Sequence, residues 1–325
     1  MPKFFICPVS KNITDAVINF CKTHDTPVAL IPSRRQVEWD GGYVNNWTTE
    51  SFAQYAAWLP LQRDHGGPGQ GYKDDDGYQS LEHDCKYFDL IHVDPWKKYP
   101  SYSDGLKWTI DIINFCYQRN RHLWYEIATE EALRPFTAME LKQLIENLRQ
   151  HLKPEIFKQI KYAVVQSGTS LKENINTGAY SEYKLTEMLK VLKPYGLLSK
   201  EHNGDYLGGP LVQAKMKAGL DAINIGPEFG LVETQTYLDA IKESSTQPDF
   251  FLTLFWQLCY DSKRWTRWVD KDFDPLKNHT KLIQICGHYV FSHPVFVNKI
   301  KNSFKDIDKT IQTNIIKRLE TYYYE

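Results

Sequence analysis

Eight short apolar runs, each followed by a stretch long enough for a helix, constrain this chain more than any other feature. The runs are 4–9, 28–33, 59–65, 88–94, 122–127, 161–166, 196–202 and 222–226. Between them apolar residues recur every three or four positions. Stretch 12–24 carries Ile13, Val17, Ile18 and Phe20, and stretch 103–120 carries Leu106, Trp108, Ile112, Ile113 and Phe115. Short strands alternating with amphipathic helices make parallel βα units, and eight right-handed crossovers close such a sheet without leaving an edge. The pattern predicts an α/β chain folded as a (β/α)8, or TIM, barrel over residues 1–245. Thr48 or Thr49, and Thr137, are the expected helix N-caps.

The 325 residues exceed the ~250 typical of a bare barrel. After about residue 245 the βα repeat stops, and 250–258, 281–289, 295–304 and 306–325 read as helices. They predict a C-terminal helical extension, 246–325, packed on the barrel. A formal net charge of −1 provides no global field for nucleic acid or an anionic membrane. An anionic substrate must then be met by a local cluster. No run approaches the ~20 apolar residues of a membrane span, and the apolar stretch after Lys3 is too short for a secretory signal. The six cysteines are scattered without a CxxC pair, which points to reduced thiols and a cytoplasmic protein.

Chemistry should gather where the strands end, because the C-terminal ends of barrel strands share one rim. The run with Leu59 and Leu61 leads directly into Asp64 and His65 and then into Gly66, Gly67, Gly69 and Gly71. Alone, that segment also reads as a tight turn capped by Asp64. Other strand ends add to it: Arg34 and Arg35, His92 and Asp94, Glu126, Gln166 and Ser167, Lys200, His202, Asn203 and Asp205, and Asn224 and Glu228. Residues two apart on a strand share a face, which pairs His92 with Asp94 and Lys200 with His202.

His65 and His202, joined by Glu126 or Gln166, would surround a catalytic divalent metal. Such a site supports enediolate chemistry next to a ketone, with Asp64 exchanging a proton with a substrate hydroxyl. Glu126 and Lys200 join Asp64 as candidate catalytic groups. Lys200 reads either as a salt-bridge partner of Asp64 or Glu126, or as a Schiff-base amine. Arg34 and Arg35 are candidates to hold a phosphate or carboxylate. His92, Asp94, Gln166, Ser167, Asn203, Asp205, Asn224 and Glu228 are the remaining candidate substrate contacts. The loop 66–77 is a candidate lid, with Asp74, Asp75 and Asp76 as solvated charge.

Several segments together resemble one family. They are Phe5-Ile6-Cys7-Pro8-Val9, Gln36-Val37 with Gly41-Gly42-Tyr43, Asp64-His65-Gly66-Gly67-Pro68, Ile91-His92-Val93-Asp94 and Tyr125-Glu126-Ile127-Ala128-Thr129-Glu130. Val164-Val165-Gln166, Glu201-His202-Asn203-Gly204-Asp205-Tyr206, Ile225-Gly226-Pro227 and His293-Pro294 continue the match. The chain resembles the non-catalytic-subunit family of class II tagatose-bisphosphate aldolase, relatives of the zinc-dependent ketose-bisphosphate aldolases.

The resemblance implies a class II aldolase barrel, a Zn2+ cofactor, Asp64 as catalytic acid, and His65 and His202 as two metal ligands. The family's third zinc histidine has no counterpart on the strand carrying Val165-Gln166-Ser167, so Gln166 or Glu126 would substitute. Arg34, Arg35, Lys200 and Glu228 depart from the family's pattern and add charge at the mouth. The expectation is therefore a metal-assisted lyase for a phosphorylated or acidic sugar, acting as a homo-oligomer or beside an aldolase subunit. Two alternatives remain: a non-catalytic stabilising subunit, or a metal-dependent sugar isomerase or epimerase.

Overall fold

The computed structural model describes residues 1–324 and contains strands β1 (Phe4–Ile6), β2 (Val28–Leu30), β3 (Gln62–Gly66), β4 (Leu90–Val93), β5 (Trp124–Ile127), β6 (Ile160–Val165), β7 (Leu171–Lys172), β8 (Ile175–Asn176), β9 (Leu198–Glu201) and β10 (Ala222–Ile225). All but β7 and β8 pair in parallel, in the order β2-β1-β10-β9-β6-β5-β4-β3. Bridges from Leu30 to Leu61 and from Ser33 to Asp64 join the two ends of that order. The chain is a (β/α)8 barrel.

Most strands are shorter than the apolar runs, and at β1 a proline sets the limit. The Cys7 N–H still donates to the Ile225 carbonyl at 2.9 Å, but Pro8 has no N–H and ends β1. The helices follow their caps: Ser10 accepts from Ile13 N–H ahead of helix Lys11–His24, and Thr137 accepts from Glu140 N–H ahead of Ala138–His151. Thr48 closes a capping box with Ser51 at the start of Thr49–Tyr55. This second crossover has only seven helical residues. The irregular segment 31–48 before it is longer than the candidate lid 66–77. It is held by the buried Arg63, whose guanidinium donates to the Pro32 and Val37 carbonyls at 2.9 and 2.8 Å.

Alternation along the strands separates two cores. Phe4 and Ile6 join the large cluster beneath the helices, whereas Phe5 packs inside with Ala29, Ile31, Leu90, Tyr162 and Ala222. Against this inner plug lies a polar group, Gln62, Glu126 and Lys200, all fully buried. Barrel interiors are usually filled by branched apolar side chains, so polar residues here need a reason.

Beyond the barrel, helices Pro248–Ser262, His279–Cys286, Pro294–Lys299 and Ile307–Tyr324 continue the same apolar cluster. The last presents Ile311, Ile315 and Leu319 at four-residue spacing and packs on helices Lys11–His24 and Pro227–Ser244. The β7–β8 hairpin is too short to leave a sequence periodicity and was not expected. No described helix is long and apolar enough to cross a membrane.

Candidate active site

Three imidazoles meet at the C-terminal rim, one each from β3, β4 and the residue after β9. Ligand atoms of Asp64, His65, His92 and His202 all lie within 4.8 Å of one another. His65 Nε2 and His92 Nδ1 are each 3.8 Å from an Asp64 oxygen, and His202 Nδ1 is at 4.0 Å. Glu130 adds a second carboxylate, 3.7 Å from His65 Nε2 and 3.9 Å from His202 Nδ1.

The other nitrogen of each ring is anchored elsewhere. His65 Nδ1 meets Asp94 at 2.5 Å, His92 Nε2 meets the Ala128 carbonyl at 3.0 Å, and His202 Nε2 meets Glu126 at 2.8 Å. Glu126 in turn accepts from Gln62 Nε2 at 2.5 Å and from Lys200 Nζ at 2.8 Å. Each ring is thus fixed in orientation, with one nitrogen turned toward the others. Backbone strain accompanies the arrangement: His65, Ala128, Asn203 and Tyr206 all have positive φ, between 47° and 72°. Non-glycine residues rarely adopt this conformation, and they do so where the surroundings over-determine it. Gly67 lets the chain pass so close to the Asp94 carbonyl that a Cβ would sit 2.0 Å from that oxygen.

The electrostatics favour a cation. Burial would raise the Asp64 carboxyl, but His65, His92 and His202 outweigh it and hold the group well below the usual range. Burial would lower the His65 imidazole, yet Asp64, Asp94 and Glu130 raise it to about 10. Glu126, which burial would also raise, is held well below its ordinary value by Lys200, His92 and His202. The carboxylates that favour a proton on His65 would equally favour a divalent ion.

The residues fit a metal by their donor set. Three imidazoles bring a nitrogen each into one cluster, His92 Nδ1 also accepting from the His65 backbone N–H at 3.3 Å. Each ring is backed by a carboxylate or carbonyl, and Asp64 Oδ1 is buried with no hydrogen-bond partner among the described residues. Nitrogen donors with a neighbouring carboxylate suit zinc and similar divalent ions.

The site opens into a cavity of about 390 Å³ lined by Asp64, His65, Glu130, His202, Asp205 and Asn224 among others. Asn224 is buried, and both polar atoms of its side chain lack a partner. A buried amide without a partner is costly, and this one borders the cavity. Arg35 and Arg267 line the same cavity.

Not every residue singled out in the sequence reaches this cavity. Asp64, His65, His202, Arg35, Asn203, Asp205 and Asn224 line it, and His92 lies beside it as the third imidazole. Asp94 and Glu126 stand behind the rings rather than between them. Lys200 is fully buried and salt-bridged to Glu126, its Nζ 3.6 Å from the centroid of Phe5. Arg34 is neutralised by Glu38 at 2.7 Å and Asp75 at 2.5 Å. Gln166 turns to the backbone of Thr129, Arg134 and Phe136. Ser167 joins Glu201 and Lys215 outside the barrel interior, and Glu228 is bound by Arg318, Tyr322 and Tyr206 N–H.

Glu130, Gln62 and Arg267 belong to the site or its support without being singled out by the sequence pattern. Glu130 ends the strand-end segment Tyr125–Glu130, a signal that was present. Arg267 lies outside the βα repeat and carried none.

No described protein family matches the sequence, and no curated relative matches it. Solved structures do match. A probable tagatose 6 phosphate kinase from Sinorhizobium meliloti is 17% identical, with 99% of this chain and 92% of that chain covered and a TM-score of 0.77. A fructuronate-tagaturonate epimerase from Cohnella laeviribosi is 10% identical over 99% and 81%, with a TM-score of 0.62. A fructose-bisphosphate aldolase from Campylobacter jejuni is 12% identical over 98% and 88%, with a TM-score of 0.59. At these identities the likeness is one of fold.

Proposed function

We propose that this chain is a metal-assisted, aldol-type carbon–carbon lyase acting on a sugar that carries an acidic group. The observation that carries the reading is the convergence of His65 Nε2, His92 Nδ1 and His202 Nδ1 beside Asp64, with every ring's second nitrogen already engaged. A divalent cation, zinc by its donor set, would be held by the three imidazoles and would supply Lewis acidity to a substrate carbonyl and its enediolate. Aldolases and a sugar epimerase are among the proteins that share the fold.

The protein's own groups divide the remaining work. Asp64 is ionised and carries an oxygen without a partner, so it accepts the proton of the hydroxyl whose carbon bears the breaking bond. Glu130, oriented by Asn203 Nδ2 at 2.9 Å, is the second carboxylate in reach for returning a proton. Asn224 binds sugar hydroxyls. Lys200 is assigned no nucleophilic role: its amine lies behind Glu126, away from the cavity, and it holds that carboxylate in place against His202. All six cysteines are free, in keeping with a cytoplasmic setting.

The test is calorimetric titration of the wild-type chain, His92→Ala and His202→Ala with Zn2+ or Mn2+, followed by product analysis with a panel of ketose phosphates. One metal site, lost in both variants, and products of shorter carbon chain are expected. Metal binding that is absent, or indifferent to both changes, removes the mechanism. Epimers without fragments reassign the site to epimerisation, and turnover only beside a separate aldolase chain favours the supporting-subunit role.

A further inference from the structure

Four cations gather at one edge of the molecule: Arg35 and Arg267 line the cavity, and Arg264 and Lys97 stand close enough for their charges to act on, or be acted on by, Arg35. Among the described residues, Arg35, Lys97, Arg264 and Arg267 form no ion pair. Arg35 reaches only the Gly71 carbonyl, at 3.4 Å, and Lys97 only the Gly69 carbonyl, at 2.6 Å. Arg264 lies 4.4 Å from the centroid of Tyr72 and also faces Tyr43 and Tyr289, while Arg267 lies 4.6 Å from that of Trp268. The adjacent Arg34 has two carboxylates to itself. The chain therefore supplies acids one residue away and withholds them here.

Gathering like charges costs free energy unless something of opposite sign occupies the space between them. Arg35 feels this cost: its burial, and then Arg267 and Arg264, make its guanidinium easier to deprotonate than usual. Arg35 and Arg267 border the same cavity as Asp64, His65 and His202. At about 390 Å³ it falls in the range of small-molecule sites. One end of a bound molecule can then meet the imidazoles while the other meets the guanidinium groups.

We propose that Arg35 and Arg267 form the subsite for a terminal phosphate of the substrate, which makes Arg267, in the C-terminal helical segment, a specificity-determining residue. The assignment rests on the reading above that the imidazole cluster is the reacting end. A phosphate monoester carries about −1.5 to −2 charges near neutral pH and offers three oxygens to two planar forks. A carboxylate is satisfied by one. Arg264 and Lys97 extend the positive field around the pair, and the stacking of Arg264 on Tyr72 ties the helical segment to the loop after β3.

Phosphate binding and metal binding can be measured separately on the same proteins. Calorimetric titration with inorganic phosphate is run on wild type, Arg35→Met, Arg267→Met and the exposed control Lys305→Met, with acetate as competitor and melting temperature as the check on folding. Saturable phosphate binding is expected, weakened about tenfold or more in each arginine variant and unchanged in the control, with acetate at least about tenfold weaker. Equal phosphate affinity in wild type and Arg267→Met overturns the proposal, as does acetate binding as tightly as phosphate. Mn2+ titration of the same proteins reads the other end. Phosphate binding that depends on both arginines, in a chain that takes up no metal, keeps the subsite and removes the lyase reading. Normal metal uptake without phosphate binding does the reverse.

Discussion

Strand β9 carries two buried lysine–glutamate pairs, one on each of its faces. Inside the barrel Lys200 meets Glu126 at 2.8 Å, and outside it Glu201 meets Lys215 at 2.6 Å. All four side chains are fully buried. The pairs differ in what they touch next. Glu126 passes its charge on to His202, whereas Glu201 accepts from Ser167 N–H and Oγ and leads nowhere near the cavity. Adjacent residues on one strand have thus placed the same chemistry in two different services. Burial and pairing alone do not mark a functional residue; the partner of the partner does.

Breaking the inner pair should produce the largest effect. Lys200→Met leaves Glu126 ionised and without its cation, which should cost about 3–5 kcal/mol of stability in urea denaturation. It should also weaken Mn2+ binding by about 10- to 100-fold, because the carboxylate that orients His202 loses its support. The outer pair should separate these two readouts. Lys215→Met should cost a similar ~3–5 kcal/mol and leave metal affinity within about twofold of wild type. A comparable fall in metal affinity in both variants would break the comparison.

Glu126→Gln sharpens it further by changing charge while preserving shape. The amide still meets His202 and Gln62, and Lys200 can shed its proton, because burial already lowers its pKa against the pull of Glu126. Stability should therefore fall by less than in Lys200→Met, by about 1–3 kcal/mol. Metal affinity should still drop about tenfold, since a neutral amide cannot raise the basicity of His202 as a carboxylate does.

The same strand geometry explains what was legible in the sequence. Eight apolar runs separated by amphipathic stretches determine the barrel, because burial on both faces and crossover length leave few alternatives. Asp64, His65 and His202 could be found because polar residues ending an apolar run have no structural reason to recur. Their third companion was harder to identify. His92 was grouped with Asp94 on one face, but β4 stops at Val93, and Asp94 turns back to hold His65 instead.

Consecutive arginines illustrate the other limit. Arg34 and Arg35 have no local signal to tell them apart, and only the fold sends one to Glu38 and Asp75 and the other to the cavity. Arg267 was beyond reach for a further reason. Its place at the rim depends on how helices outside the repeat pack, which no periodicity records.

A third buried glutamate completes the comparison, because among the described residues no cation lies within ion-pair reach of it. Glu233 is hydrogen-bonded by Ser10 Oγ and, at 2.9 Å, by Asn12 Nδ2, which link helix Pro227–Ser244 to helix Lys11–His24 and its cap. Burial raises its carboxyl to about 7, with those two donors and Lys301 opposing only in part. The unfolded chain releases this proton near the ordinary value of ~4.3. Between that value and about 7 the native state therefore binds a proton that the unfolded state does not, and stability falls as pH rises. Glu233→Gln stays uncharged throughout. Its stability relative to wild type should rise by about 3–4 kcal/mol from pH 4 to pH 8 in paired denaturation curves. Parallel pH profiles for the two proteins would mean that Glu233 is ionised in the fold like its paired counterparts, and that a cation partner is not what separates them.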